Sequence, residues 1–387
     1  YYKLVFEFML RKIKTHALIN STANNFANPY FGYVAASVSN SNLFVGYVQG
    51  LGIFSSIAQL FTGNLVDKKN NRIRLILLSN SLIAFLCISL YYAKDPLTLA
   101  LLLTSLVAIQ GIYGGAWNAL IGELSEPNNR GRFLSSFAFI ATLGSITAIF
   151  ITIPLTYLFN SFIPAFIVAG ILFLVSAMVL LNIPEIKIAR QKLELTRLKI
   201  IRDYYIVNFI FGIFWGFAWP LFTITQVRVL KMQPYEYAIA QALHAFSTLL
   251  FQPIAGKMVD KNRRLSLFTG KFGLTIYPIV FYFASSPIHI YLLNAFTGII
   301  PALINVAYTA YLYDLVPHGY RGKFSAEFNL IHSLSIMIGS LSSTYLVDHL
   351  SERMDLVNAL GVGYLIATIG RASTAFLYLR FNDIKKQ

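Results

Sequence analysis

Four carboxamides crowd one apolar stretch near the start of the chain: Asn20, Asn24 and Asn28 recur at every fourth position, with Asn25 beside them. A spacing of four returns to one face of a helix, so three of these amides share a stripe. Amides inside a membrane helix are costly unless they face protein or a wet cavity. Further stripes follow at the same helical spacing: Gln110, Tyr113 and Trp117; Trp215, Trp219 and Thr223; Gln241, His244, Thr248 and Gln252; Asn305 and Tyr308; Asn329 and His332. Amide and ring groups hydrogen-bond and stack on neutral polar or amphiphilic molecules, and with almost no buried acid beside them they suit an organic dication poorly. The bland alternative is that such groups bond helix to helix and touch no ligand. The candidate contact residues are Asn20, Asn24, Asn28, Gln110, Trp117, Trp215, Trp219, Gln241, His244, Asn305, Tyr308 and Asn329.

Ionisable residues within apolar stretches are few. Glu327 is the one acid that does not fall in a loop or a terminal turn, and His244 and His332 lie deeper. Imidazole changes charge near neutral pH, so these three are the candidates for carrying a coupled proton, with plain packing the competing role. Lys271 stands about 10 Å inside its stretch by helical rise, within reach of the surface by snorkelling. Arg371 is deeper, and the sequence names no partner for it. No HExxH, Gly-x-Ser-x-Gly, Walker motif or paired acid cluster is present, which argues against an enzyme. The single Cys87 rules out a disulfide framework and a cysteine metal site, and no cofactor is expected.

These residues sit in a chain of 387, of which 56% are hydrophobic and only 12% charged. About 25% charged is usual for soluble domains. Repeated apolar runs of about 20 residues mark a polytopic membrane protein, and their continuity marks helices rather than a barrel. Twelve spans are expected, at roughly 16–38, 42–66, 73–93, 97–124, 132–157, 162–183, 204–227, 235–259, 265–285, 288–315, 323–347 and 357–381. They divide into a six-helix bundle over 1–183, a basic linker over 184–203 and a second six-helix bundle over 204–387. The net charge of +15 is spread over short loops, which speaks against a nucleic-acid partner. One alternate set of loops, with both termini, holds 25 of the 31 Lys and Arg residues. The positive-inside rule places that set in the cytoplasm of a multi-pass cell-membrane protein. No small-residue cleavage site follows the basic opening segment, so no cleavable signal peptide is expected.

Two loops repeat across the halves. Gly63-Asn-Leu-Val-Asp67-Lys68-Lys-Asn-Asn-Arg72 returns as Gly256-Lys-Met-Val-Asp260-Lys261-Asn-Arg-Arg264, offset by 193 residues. The stretch from Glu123 to Arg130 returns as Asp314 to Arg321, offset by 191. Twelve spans, a central basic loop and these repeats together resemble the major facilitator superfamily, in its twelve-helix prokaryotic type, over essentially the whole chain. That family's signature between spans two and three is G-x-x-x-D-[RK]-x-G-[RK]-[RK]. Gly63, Asp67, Lys68 and Arg72 match it, while Asn70 stands for the second glycine and Asn71 for a basic residue. Asn tolerates left-handed backbone better than most residues, so the turn is feasible. In the second copy Gly256, Asp260, Lys261 and Arg264 match, and Arg263 occupies the glycine position.

The resemblance implies a secondary transporter in which two pseudo-symmetric bundles rock about a small-molecule substrate near the midplane. It implies that spans one, four, seven and ten line the central cavity, with two, five, eight and eleven flanking it. It also implies a cytoplasmic conformational latch. Asp67 would meet the start of span eleven, where the helix dipole favours an acid, and Asp260 the start of span five. Glu123 and Asp314 would pair with basic residues of the Arg130 and Arg321 loops. Close helix approach at Gly63 and Gly256 would bring the ends together. The expected partners are the solute, protons as coupling ion, and the lipid bilayer, with the chain acting as a monomer. The competing transport reading is multidrug efflux. Against it, the G-P-x-x-G-G of many drug–proton antiporters is absent from span five, which reads Gly144 to Pro154 without it.

Overall fold

In a bilayer every backbone polar group must be bonded within the chain, which leaves a run of apolar residues the helix as its stable form. The computed structural model describes residues 2–69, 71–124, 130–183, 198–315 and 321–381. Within these, side chains of 2–6, 63–69, 122–123, 130–132, 134–135, 198–201, 309–310, 312–315 and 321–323 lie outside the description. All regular structure among the described residues is helical. Nine of the described helices are long and apolar enough to cross a membrane, and the pair Pro287–Phe296 and Ile299–Tyr308, bent by 49°, makes ten if taken as one span.

The two remaining expected spans differ for visible reasons. Span six, Ile163–Val179, has 17 residues. Span one is interrupted by a 3-10 turn at Asn28–Tyr30, where Pro29 has no N–H to continue the ladder. The bend in span ten has its own cause. Ser247 Oγ accepts from Gly298 N at 3.1 Å and donates to Ala295 O at 2.6 Å, so span eight lies against the break. No side chain fits there, because a Cβ on Gly298 would strike the Ser247 backbone.

The chain forms two compact units, 1–31 with 54–191 and 32–53 with 192–387. In the first, span one packs on spans five and six, and span three on spans four and six. Its apolar core includes Ile13, Ile76, Ala116, Leu120 and Leu180. Span five approaches span one at Gly144, where a Cβ would stand 2.8 Å from Leu18 O. In the second, span eleven lies along span seven, span ten joins spans eight and nine, and span twelve packs on span seven. The short helix Asn42–Gln49 also belongs here, against span eleven.

Two prolines explain polar bonds inside the second unit. Pro220 sits within Leu198–Ile224 and cannot bond the carbonyl four residues back. That carbonyl, Gly216 O, accepts from Ser340 Oγ of span eleven at 3.0 Å. Pro278 likewise frees Leu274 O, where span nine breaks between Arg263–Gly273 and Ile276–Phe283. Arg371 Nη1 of span twelve donates to it at 2.9 Å. At the start of span twelve Asp355 caps the helix, accepting from Asn358 N, and this backbone bond holds its carboxyl below the usual range.

Candidate functional site

The first unit assembles the sequence stripes into one connected polar ladder. Asn20, 4% exposed, donates Nδ2 to Asn80 Oδ1 at 3.2 Å. Asn24 Nδ2 donates to Asn20 Oδ1 at 2.9 Å. Gln110 Nε2 of span four donates to Asn24 Oδ1 at 3.1 Å and Asn28 Oδ1 at 2.9 Å. Below Asn80 the ladder continues through Ser176 Oγ at 3.4 Å to His16. His16 Nδ1 lies 2.8 Å from that hydroxyl and 2.9 Å from the Ser176 carbonyl, and its Nε2 lies 3.2 Å from the Tyr113 hydroxyl. Trp117 lies against this end, 5.2 Å from His16 and stacked 6.1 Å from Tyr113.

The ladder runs from a buried end to an open one. His16 is fully buried, Asn24, Gln110 and Trp117 are half-buried, and Asn28 is exposed. Amides satisfied only by other amides at an open end can trade those bonds for a ligand's hydroxyls or carbonyls at small cost. Asn20 departs from the expectation of a contact residue, because both its neighbours and its burial commit it to holding Asn24 and Asn80. Three participants were not among the sequence candidates. His16 stands four residues before Asn20 and continues the same stripe, whereas Asn80 and Ser176 lie on spans three and six, which hold none of the sequence stripes, and only contacts across helices reveal them.

The second unit carries the ring chemistry. Trp215 and Trp219 meet edge to face at 5.4 Å, and His332 lies 5.0 Å from Trp215. His332 Nδ1 is buried without a hydrogen-bond partner among the described residues. His244 meets Tyr277 edge to face at 6.3 Å. Gln241 is hydrogen-bonded with Tyr237. Tyr308 packs on Phe328 at 4.6 Å. Asn305 is exposed, while Asn329 and Glu327 are half-buried. The structure thus brings Trp215, Trp219 and His332 together, with Tyr308 joined to them through Phe328.

Lys271 does not snorkel. It is 1% exposed, with Nζ 4.5 Å from the Phe211 ring centroid, 4.8 Å from Trp215 and 5.7 Å from Tyr378. Ring faces from spans seven and twelve surround the ammonium and favour a cation. Arg371 is equally buried, and its partners are backbone carbonyls: Phe214 O at 3.2 Å, Trp215 O at 2.8 Å and Leu274 O at 2.9 Å. It ties span twelve to spans seven and nine.

Of the expected latch, the side chains of Gly63, Asp67, Lys68, Glu123, Arg130, Asp314 and Arg321 lie outside the described residues. Arg72 is 4% exposed. Asp260 and Lys261 are exposed, and Arg264 is half-buried. A Cβ at Gly256 would meet nothing within 4 Å, so this glycine makes no close helix approach in this structure. No group of three or more metal-ligating side chains occurs among the described residues.

The family model described as Major Facilitator Superfamily matches residues 16–202 and 204–385. The chain belongs to the major facilitator superfamily. Solved structures share the fold at low identity. A variant of the nucleoside transporter NupG aligns at TM-score 0.76 and 13% identity, over 96% of this chain and 99% of that one. A D-xylose-proton symporter aligns at 0.73 and 14%, over 99% of each chain. An auto-inhibited POT family peptide transporter aligns at 0.73 and 12%, over 96% and 97%. No curated protein matches the chain. This superfamily member is a multi-pass membrane transporter and not an enzyme.

Proposed function

We propose that this transporter is a secondary active carrier of a small organic solute whose polar or amphiphilic, largely neutral surface is met by amides and rings. It works as a monomer in the cell membrane, with both termini cytoplasmic. Transport proceeds by alternating access, the halves 1–183 and 204–387 moving about the linker 184–203. The observation that carries the reading is the open end of the ladder, where Gln110 bonds both Asn24 and Asn28 at 3.1 and 2.9 Å. These are neutral, directional groups that suit hydroxyls and carbonyls. Trp117 in the first unit supplies an apolar ring face for the solute's body, and the Trp215–Trp219 pair offers ring faces of the same kind within the second unit. His332, His244 and Glu327 are the groups that would carry a coupled proton.

The test is uptake by the full-length protein in proteoliposomes against a panel of sugars, nucleosides, peptides and hydrophobic drugs, with and without an imposed proton gradient. For the solute that is moved, Gln110→Ala is expected to raise KM about tenfold, the loss of one to two hydrogen bonds. Unchanged KM in Gln110→Ala would remove the ladder from the site. Movement of hydrophobic drugs alone, outward, would favour efflux.

A further inference from the structure

The segment Gly32–Ile53 joins spans one and two, yet it packs with the helices of 192–387. Gly46 and Gly50, one turn apart, let it approach span eleven. A Cβ at Gly46 would stand 2.8 Å from Ser340 O, and one at Gly50 would stand 3.1 Å from the Met337 Cα. Polar bonds then fix its far end. Arg228, at the end of span seven, donates Nη1 to Asn42 Oδ1 and Nη2 to Ser39 O at 2.7 Å and Ser41 O at 3.4 Å. Asn42 in turn donates Nδ2 to Asp348 Oδ1 of span eleven at 2.6 Å. Closer to the middle of the spans Gln49 Nε2 donates to Thr223 Oγ1 at 2.8 Å, and past the end of span seven Tyr33 OH donates to Met232 O at 3.0 Å.

One guanidinium therefore reads two carbonyls and an amide of the 32–53 segment, and that amide relays to a carboxylate. Charge-assisted bonds of this kind are the strong ones. They lie where spans end, so water can replace them when the segment leaves, unlike bonds in the apolar interior. Beneath them Gly46 and Gly50 let the segment lie closely on Ser340, Thr344 and Met337 of span eleven. A fastening that is strong, polar and hydratable is what a reversible closure needs.

We propose that Arg228 is a gating residue of the transport cycle. It clamps the 32–53 segment against spans seven and eleven and keeps that end of the protein shut, and its release opens that end to solute. The proposal rests on the alternating-access reading, and its test does not require the solute. Ala36 is 5% exposed, within the packed core of the second unit, and Ala218 is 0% exposed in span seven. In full-length Cys87→Ser protein in nanodiscs, Ala36→Cys reports opening and Ala218→Cys reports general loosening. Arg228→Gln and Asn42→Ala are each expected to speed thiol labelling at Ala36→Cys about tenfold and leave Ala218→Cys slow. Arg228→Lys, able to keep one bond but not three, should fall between. Unchanged labelling at Ala36→Cys in Asn42→Ala and Arg228→Gln would overturn the gate, as would equal acceleration at Ala218→Cys. If Arg228→Gln fails to fold, Asn42→Ala decides alone. Accelerated labelling in a protein that moves no solute would leave the gate standing and sink the transport reading.

Discussion

Single residues in this protein are explained by what the backbone lacks. Pro278 removes the N–H that would bond Leu274 O, and Arg371 supplies the replacement donor. Its bonds to Phe214 O and Trp215 O are additional, because those carbonyls keep their helical partners. Arg371→Met should therefore destabilise by about 1–3 kcal/mol, the cost of one orphaned buried carbonyl, offset in part by removal of a buried charge. Pro278→Ala restores the N–H, so Arg371→Met with Pro278→Ala should recover most of the lost thermal stability. Thermal unfolding in detergent checks this, and a double variant no more stable than Arg371→Met would refute the account. At the same scale, proton coupling through His244, His332 or Glu327 predicts that replacing one of them by Gln abolishes gradient-driven accumulation and preserves counterflow exchange. Normal accumulation in all three variants would leave the carrier uncoupled from protons through these groups.

At the scale of elements, span two has an observed fastening at one end and an expected one at the other. The Arg228 clamp and the Gly46–Gly50 contact hold the 32–53 end of span two to span eleven. The motif at the other end of span two carries Asp67, which the family resemblance sets against the start of span eleven. A charge at a helix N-terminus contributes about 0.3–2 kcal/mol, and at the upper end its loss shifts a two-state equilibrium about thirtyfold. Asp67→Asn keeps the size and removes the charge. It should favour the inward-facing state and slow turnover, with Asp260→Asn acting more weakly because its copy of the motif is degraded. Spin labels on the cytoplasmic ends of spans two and eleven measure the shift. An unchanged distance distribution with normal turnover would reduce Asp67 to a topology signal.

For the whole molecule, the distribution of charge predicts an orientation. Of the 31 Lys and Arg residues, 25 lie in one alternate set of loops together with the two termini, which the positive-inside rule would place in the cytoplasm. A cysteine introduced at Gln191, in a Cys87→Ser background, should be shielded from an impermeant thiol reagent in intact cells and labelled after permeabilisation. Ready labelling in intact cells would reverse the orientation of every span, and with it the side on which the Arg228 clamp opens.

The all-helical membrane class and the family were legible in the chain, because apolar run length and repeated loop motifs are local properties that need no partner. The amide stripe at Asn20, Asn24 and Asn28 was legible for the same reason: helical spacing decides which residues share a face. Where that face points is a tertiary matter. Packing turned Asn20 inward onto Asn80 and left Asn28 exposed; it joined His16, which continues the same spacing of four, to Ser176, whose position carries no periodic signal. The sequence marked Arg371 as a deep cation without a partner and let Lys271 reach the surface, since the ring faces and freed carbonyls that hold them belong to other helices. Arg228 carries no partner signal in the sequence, and the fold places Asn42, 186 positions away, against it. Spacing along a helix is fixed by 3.6 residues per turn, whereas contacts between helices depend on how glycines, prolines and rings let them pack.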